Sequence, residues 1–196
     1  MTQRSAELTR TTKETQIHLK LNLDGTGKSD IQTGIGFFDH MLDGFTRHGL
    51  FDLTVHVTGD LEVDTHHTIE DTGIVLGEAI RAAVGDKIGI CRYGNCILPM
   101  DETLVLCAVD LSGRPYLNYD LSFTRERCGT MELEMVREFF YAVSYSARMN
   151  LHLKQLDGIN NHHIAEAAFK AFSKALDMAV KQDERIVDVL STKGSL

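Results

Sequence analysis

One pattern occurs twice in this 196-residue chain and restricts what the chain can fold into. An alternating run at 52–57 leads through a turn into Thr65, His66, His67, Thr68, Ile69 and Glu70. The same order returns at 150–154, followed by Asn161, His162, His163, Ile164, Ala165 and Glu166. Each copy reads as a strand, a turn and a helix opened by His-His-x-x-Glu, which suggests an internal duplication.

The flanking segments repeat as well. Residues 6–23 alternate as strands do, Asp24, Gly25, Thr26 and Gly27 signal a turn, and 28–34 supply a third strand. Phe37, Phe38, Met41, Leu42 and Phe45 then recur at helical spacing, with Gly49 as the stop. A strand at 51–57 and a helix at 65–84 complete the first half. The second half offers strands at 91–100, 103–110 and 115–122, a helix at 133–148, a strand at 150–156 and a helix at 162–181. This mixture predicts an α+β fold with helices packed on sheet faces. The division falls at 1–88 and 89–196, each part holding one His-His-x-x-Glu motif. No linker rich in Pro, Gly or Ser separates the parts, so they are expected to pack together.

On a helix, residues four apart share a face, so the first His and the Glu of each motif can approach one metal ion. The second His points about 100° away and can serve a different ion. Imidazole and carboxylate without thiolate suit a divalent ion such as manganese, iron or zinc. His40, on the preceding helix, can turn toward these sites; Glu138 occupies the matching place in the second half. His18, His56 and His152 lie on expected strands and are read as structural.

Basic residues beside glycines offer an anion pocket: Arg92 before Tyr93-Gly94, Arg114 after Gly113, and Lys193 before Gly194, with the Ser191 hydroxyl as a further donor. The net charge of −8 argues against nucleic acid as a partner. No apolar run approaches a membrane span, and 1–13 lacks the apolar core of a signal peptide, so cytoplasmic residence is the default expectation. Cys91, Cys96, Cys107 and Cys128 show no C-x-x-C spacing and read as reduced thiols.

Five runs closely resemble the imidazoleglycerol-phosphate dehydratase family: Gly-Phe-Phe-Asp-His-Met-Leu at 36–42, Thr-His-His-Thr-Ile-Glu-Asp at 65–71, Asp-Leu-Ser-Gly-Arg-Pro-Tyr at 110–116, Asn-His-His-Ile-Ala-Glu-Ala-Ala-Phe-Lys-Ala at 161–171, and Ser-Thr-Lys-Gly at 191–194. The resemblance covers essentially the whole chain. It leaves no room for the phosphatase domain fused to some relatives and so implies a monofunctional form. It implies a duplicated unit, each half a four-stranded sheet on two helices, and a homo-oligomeric octahedral shell of 24 subunits with manganese sites at subunit contacts. The implied metal ligands are His40, His66, His67, Glu70, His162, His163 and Glu166; relatives often carry another histidine where Glu138 stands. The implied contacts to a small phosphate substrate are Glu14, Arg92, Arg114, Lys170, Ser191 and Lys193, the last five in the phosphate region.

The family reaction removes water from imidazole glycerol phosphate to give imidazole acetol phosphate, a step of histidine biosynthesis. Acid–base work is assigned to Glu14 and Glu166, with Asp101 as a further candidate. Two other readings compete. A metal-dependent phosphohydrolase would release inorganic phosphate, whereas a metal scaffold shell would assemble and turn over nothing.

Overall fold

The computed structural model describes residues 4–196. In the first half, β1 (Ser5–Thr11), β2 (Thr15–Asn22) and β3 (Ser29–Gln32) precede α1 (Gly36–Gly49), β4 (Asp52–Gly59) and α2 (His66–Val84). The sheet runs β1-β2-β4-β3, antiparallel except for the β3–β4 pair. A parallel pair needs a crossover between its strands, and α1 provides it.

The second half repeats this plan. It contains β5 (Tyr93–Met100), β6 (Thr103–Asp110) and β7 (Tyr116–Asp120), then a small hairpin of β8 (Arg127–Cys128) and β9 (Met131–Glu132). α3 (Met135–Ser146), β10 (Asn150–Asp157) and α4 (Asn161–Val180) follow. Its sheet runs β5-β6-β10-β7, again with the last pair parallel. The duplication read from the motifs is thus present in the sheet topology.

Both sheets turn an apolar face toward a layer of helices. Ile17, Leu19 and Leu21 on β2 alternate inward, as do Val105, Cys107 and Val109 on β6, and all are buried. α2 packs on β1 and β2, and α4 on β5 and β6. The layer then crosses between halves, α1 packing against α4 and α2 against α3. Phe45 stacks on Phe172 with centroids 5.5 Å apart, and Phe38 meets Phe139 edge-on at 5.3 Å. Burying each such ring contributes roughly 1.5–3 kcal/mol, so the core belongs to both halves at once.

Small residues set the depth of this packing. A Cβ on Gly94 of β5 would lie 1.8 Å from the carbonyl oxygen of Ala175, so α4 sits directly on the strand's backbone. Gly73 and Gly77 do the same for α2, whose backbone meets Phe139 and Val143 of α3 without room for a side chain.

The structure differs from expectation at two places. α1 does end at Gly49, but the left-handed C-cap conformation falls on Leu50, at φ 58°, not on the glycine. The glycine is needed because a Cβ there would run into the Phe51 ring at 2.3 Å. The stretch ahead of α3 is not helical from 133, because 127–132 close the β8–β9 hairpin and the Leu133 N–H is taken by the Glu126 carbonyl.

Replacing Gly94 with Ala should force α4 away from β5 and destabilise the fold by roughly 1–3 kcal/mol or more. A lowered thermal midpoint would show this; an unchanged one would contradict the packing described.

Candidate active site

Both His-His pairs begin at a capped helix end. The Asp64 carboxylate accepts the His66 N–H at 2.8 Å, and the Asn160 side chain accepts the His162 N–H at 3.0 Å. Each cap satisfies a helical N–H that has no partner within the helix. It also fixes the turn from which the imidazoles project.

The second motif gathers ligands within one chain. Among the described residues, His40, His162 and Glu166 form the one such group whose ligand atoms all lie within 4.8 Å of one another. Glu166 Oε2 is 3.1 Å from His162 Nε2 and 3.5 Å from His40 Nε2, while Lys170 Nζ donates to Oε1 at 2.6 Å. Burial opposes ionisation of Glu166, but the Lys170 ammonium and the two imidazoles outweigh it and hold the carboxyl below its ordinary range. The Phe37 ring packs edge-on against His162 at 5.0 Å and limits its rotation. Two imidazoles and an anionic carboxylate form a donor set suited to a divalent ion.

In the first motif, His66 Nε2 lies 3.8 Å from Glu70 Oε2. The second histidines face elsewhere, as the helical spacing predicts, and each is held through Nδ1 by a carboxylate. His67 Nδ1 donates to Asp60 at 3.0 Å, and His163 Nδ1 donates to Glu102 at 2.8 Å. These bonds raise both histidine pKa values and leave Nε2 available to a ligand. Glu102 is pulled down to about 2, chiefly by His163 and then by the Asn160 N–H.

Glu14 and Glu102 occupy matching places, each just before the second strand of its hairpin. Their surroundings differ. Glu102 is spent on His163 and on the backbone N–H groups of Ile159 and Asn160. Glu14 is half-exposed, with Oε1 3.8 Å from His67 Nε2. Asp101, at φ 49° in its turn, lies 3.9 Å from His163 Nε2.

The expected phosphate residues separate into two places. Lys170 stands with the His40–His162–Glu166 cluster through Glu166. Arg92 is at the other end of α4, its backbone N–H bonded to Ala179, about 20 Å from Glu166 at 1.5 Å per residue. Its guanidinium forks onto Asp110 at 2.7 and 3.1 Å and donates to the Leu190 carbonyl at 2.8 Å. That contact docks the tail carrying Ser191 and Lys193. Arg114 lies beyond β6, where its carbonyl accepts from the Asn150 side chain at 2.6 Å. Lys87 joins this end: burial lowers its pKa, and Arg92, Arg114 and Arg148 add to the effect against the opposing pull of Asp110.

Sequence reasoning missed Asp60, Glu102 and Lys87. Of these, only Lys87 carried a signal, a cation ahead of Gly89 and Arg92. It also missed a groove of about 530 Å³ beside His162, bordered by Phe37, Arg125, Arg127 and Asn160. Glu138 is paired with Arg137 at 2.8 Å and joins no histidine among the described residues.

Residues 33–176 match the family described as imidazoleglycerol-phosphate dehydratase. The chain belongs to that family. Relatives of the same name from Lachnoclostridium phytofermentans and Acetivibrio thermocellus are 66% and 58% identical over 193 residues, spanning 98% of this chain in each case and 98% and 99% of theirs. The crystal structure of imidazoleglycerol-phosphate dehydratase from Staphylococcus aureus superposes with a TM-score of 0.83 at 41% identity, covering 91% of this chain and 99% of that one. The Pyrococcus furiosus structure gives 0.84 at 41% identity, covering 96% and 100%. Imidazoleglycerol-phosphate dehydratase is a hydro-lyase of histidine biosynthesis, and that is the activity of this chain. The sheet-and-helix duplication expected from the motifs is that of the family structures.

Glu102→Ala should free the His163 ring and weaken metal binding by roughly 10–100-fold. A metal titration followed by calorimetry would measure this, and an unchanged affinity would show that the Glu102–His163 bond does not prepare the ligand.

Proposed function

We propose that the dehydration is carried out at sites assembled from several copies of the chain, with manganese as the resident metal. The separation along α4 carries this reading. Metal-type ligands stand at its N-terminal end, and the cations suited to a phosphate stand about 20 Å away at its C-terminal end. A small phosphate ester cannot span that distance, so the tail of another copy must approach the histidines. This favours a homo-oligomer, and the 24-subunit octahedral shell implied by the family resemblance is the assembly we propose.

His40, His162 and Glu166 would hold one ion, and His66 with Glu70 a second, each completed by His67 or His163 from elsewhere in the assembly. The donor chemistry fits, since neutral imidazoles and carboxylates without thiolate suit manganese. When bound, the metal supplies Lewis acidity and a template for the substrate imidazole. Glu14 is the better placed of the two candidate proton carriers, because Glu166 is engaged by Lys170, His162 and His40. Glu14 would take the proton from the substrate carbon while His67 keeps the carboxylate directed inward. Arg92, Arg114, Ser191 and Lys193 would hold the phosphate, the guanidinium forks fixing its orientation. Lys170 would orient Glu166 and neutralise charge beside it.

No helix among the described residues is long and apolar enough to cross a membrane. With a biosynthetic reaction on a free phosphate ester, we place the protein in the cytoplasm.

Glu14→Gln should lower kcat by about 10²–10⁴-fold with metal content unchanged. The protein with manganese restored should form imidazole acetol phosphate without free phosphate. Unaltered turnover in the variant would remove Glu14 from the reaction. Free phosphate would favour the phosphohydrolase, and a metal-loaded assembly without turnover would favour the scaffold.

A further inference from the structure

The hairpin that carries Glu14 is fastened to α2, the helix opened by the first His-His-x-x-Glu motif, by one buried carboxylate. Asp71 follows Glu70 in sequence and is 6% exposed. Arg10 on β1 reaches its Oδ1 through both Nε and Nη2, each at 3.0 Å, and the buried Thr15 hydroxyl donates to Oδ2. Within the turn, the Thr12 hydroxyl accepts the N–H groups of Glu14 at 3.1 Å and Thr15 at 2.9 Å. The Asp60 N–H donates to the Glu14 carbonyl at 3.1 Å, and the Asp60 carboxylate anchors His67. Glu14 and His67 are thereby fixed against one frame.

The other half of the chain provides an internal control. Strand register and motif alignment place Leu98 where Arg10 stands, Thr103 where Thr15 stands and Ala167 where Asp71 stands. At the Arg10–Asp71 position that half has no ion pair; its hairpin meets α4 instead through the matching glutamate, Glu102, which is committed to His163 and to the Asn160 N–H. The fold therefore accepts an apolar pair at this position. Stability does not require the charged pair either: Asp71 is buried beside a partly exposed Arg10, and replacing such a pair by apolar residues is often neutral. The charged arrangement occurs only in the half whose hairpin presents a free carboxylate.

We propose that Asp71 is a positioning residue. Through Thr15 and Arg10 it clamps the β1–β2 turn to α2 and holds Glu14 at the distance its proton transfer requires. The inference rests on the reading of Glu14 given above.

The test transplants the sister half. Arg10→Leu with Asp71→Ala should assemble with unchanged metal content, while kcat falls about 10–100-fold and KM moves by less than about twofold. Adding Glu14→Gln to this variant should then cost less than Glu14→Gln costs the unmodified enzyme, because both changes act on one event. An unchanged kcat, or losses that multiply in full, overturns the clamp while leaving Glu14 in its role. No loss from Glu14→Gln alone overturns both. If the double variant fails to assemble, Thr15→Val should lower kcat and Thr15→Ser should retain it; equal rates in the two would overturn the proposal.

Discussion

Backbone-to-backbone packing of the helical layer is the constraint on which the rest of the structure depends. At Gly94 the strand lies against α4 with no side chain between them, and at Gly73 and Gly77 α2 lies against α3 too closely for a side chain. These contacts fix the height and direction of the two helices whose first turns carry the histidines. With α2 and α4 immobile, the caps at Asp64 and Asn160 and the Nδ1 anchors at Asp60 and Glu102 have little left to determine except ring orientation. Order in the ligands is inherited from order in the core.

The duplication matters as much for where it breaks as for where it holds. Both halves keep the strand order, the crossover helix and the His-His-x-x-Glu helix end. They diverge at the hairpin beside that helix. In one half the glutamate serves as the histidine's anchor, and in the other a different carboxylate, Asp60, takes that duty and releases Glu14. A duplicated unit can supply two equivalent ligand sets, yet a proton transfer needs a group that is not already committed. On our proposal for Glu14, separating the anchoring role from the reactive role meets that need without altering the fold.

Much of this was legible in the sequence. The periodicities located the helices and the two sheets, because buried positions such as Leu19, Val55 and Leu151 alternate cleanly with outward polar ones. The His-His-x-x-Glu spacing correctly separated first from second histidines, since helical geometry alone sets that angle. The anchors were not legible. Glu102 and His163 are 61 positions apart and meet only through the β5–β6 turn, which no local pattern reports. The β8–β9 hairpin was missed because strands of two residues carry no periodicity. Within one chain Lys170 stands midway along α4 beside Glu166 while Arg92 meets the helix at Ala179, a separation that no local pattern reports.

If each site draws its metal end and its phosphate end from different copies, two defective chains should repair one another. Glu166→Ala disables the metal end and Arg114→Ala the phosphate end, and each should be inactive alone. Shells formed by refolding the two variants together should regain dehydratase activity, because some sites then receive both intact ends. Mixed shells confirmed by mass spectrometry yet without activity would contradict a site shared between subunits.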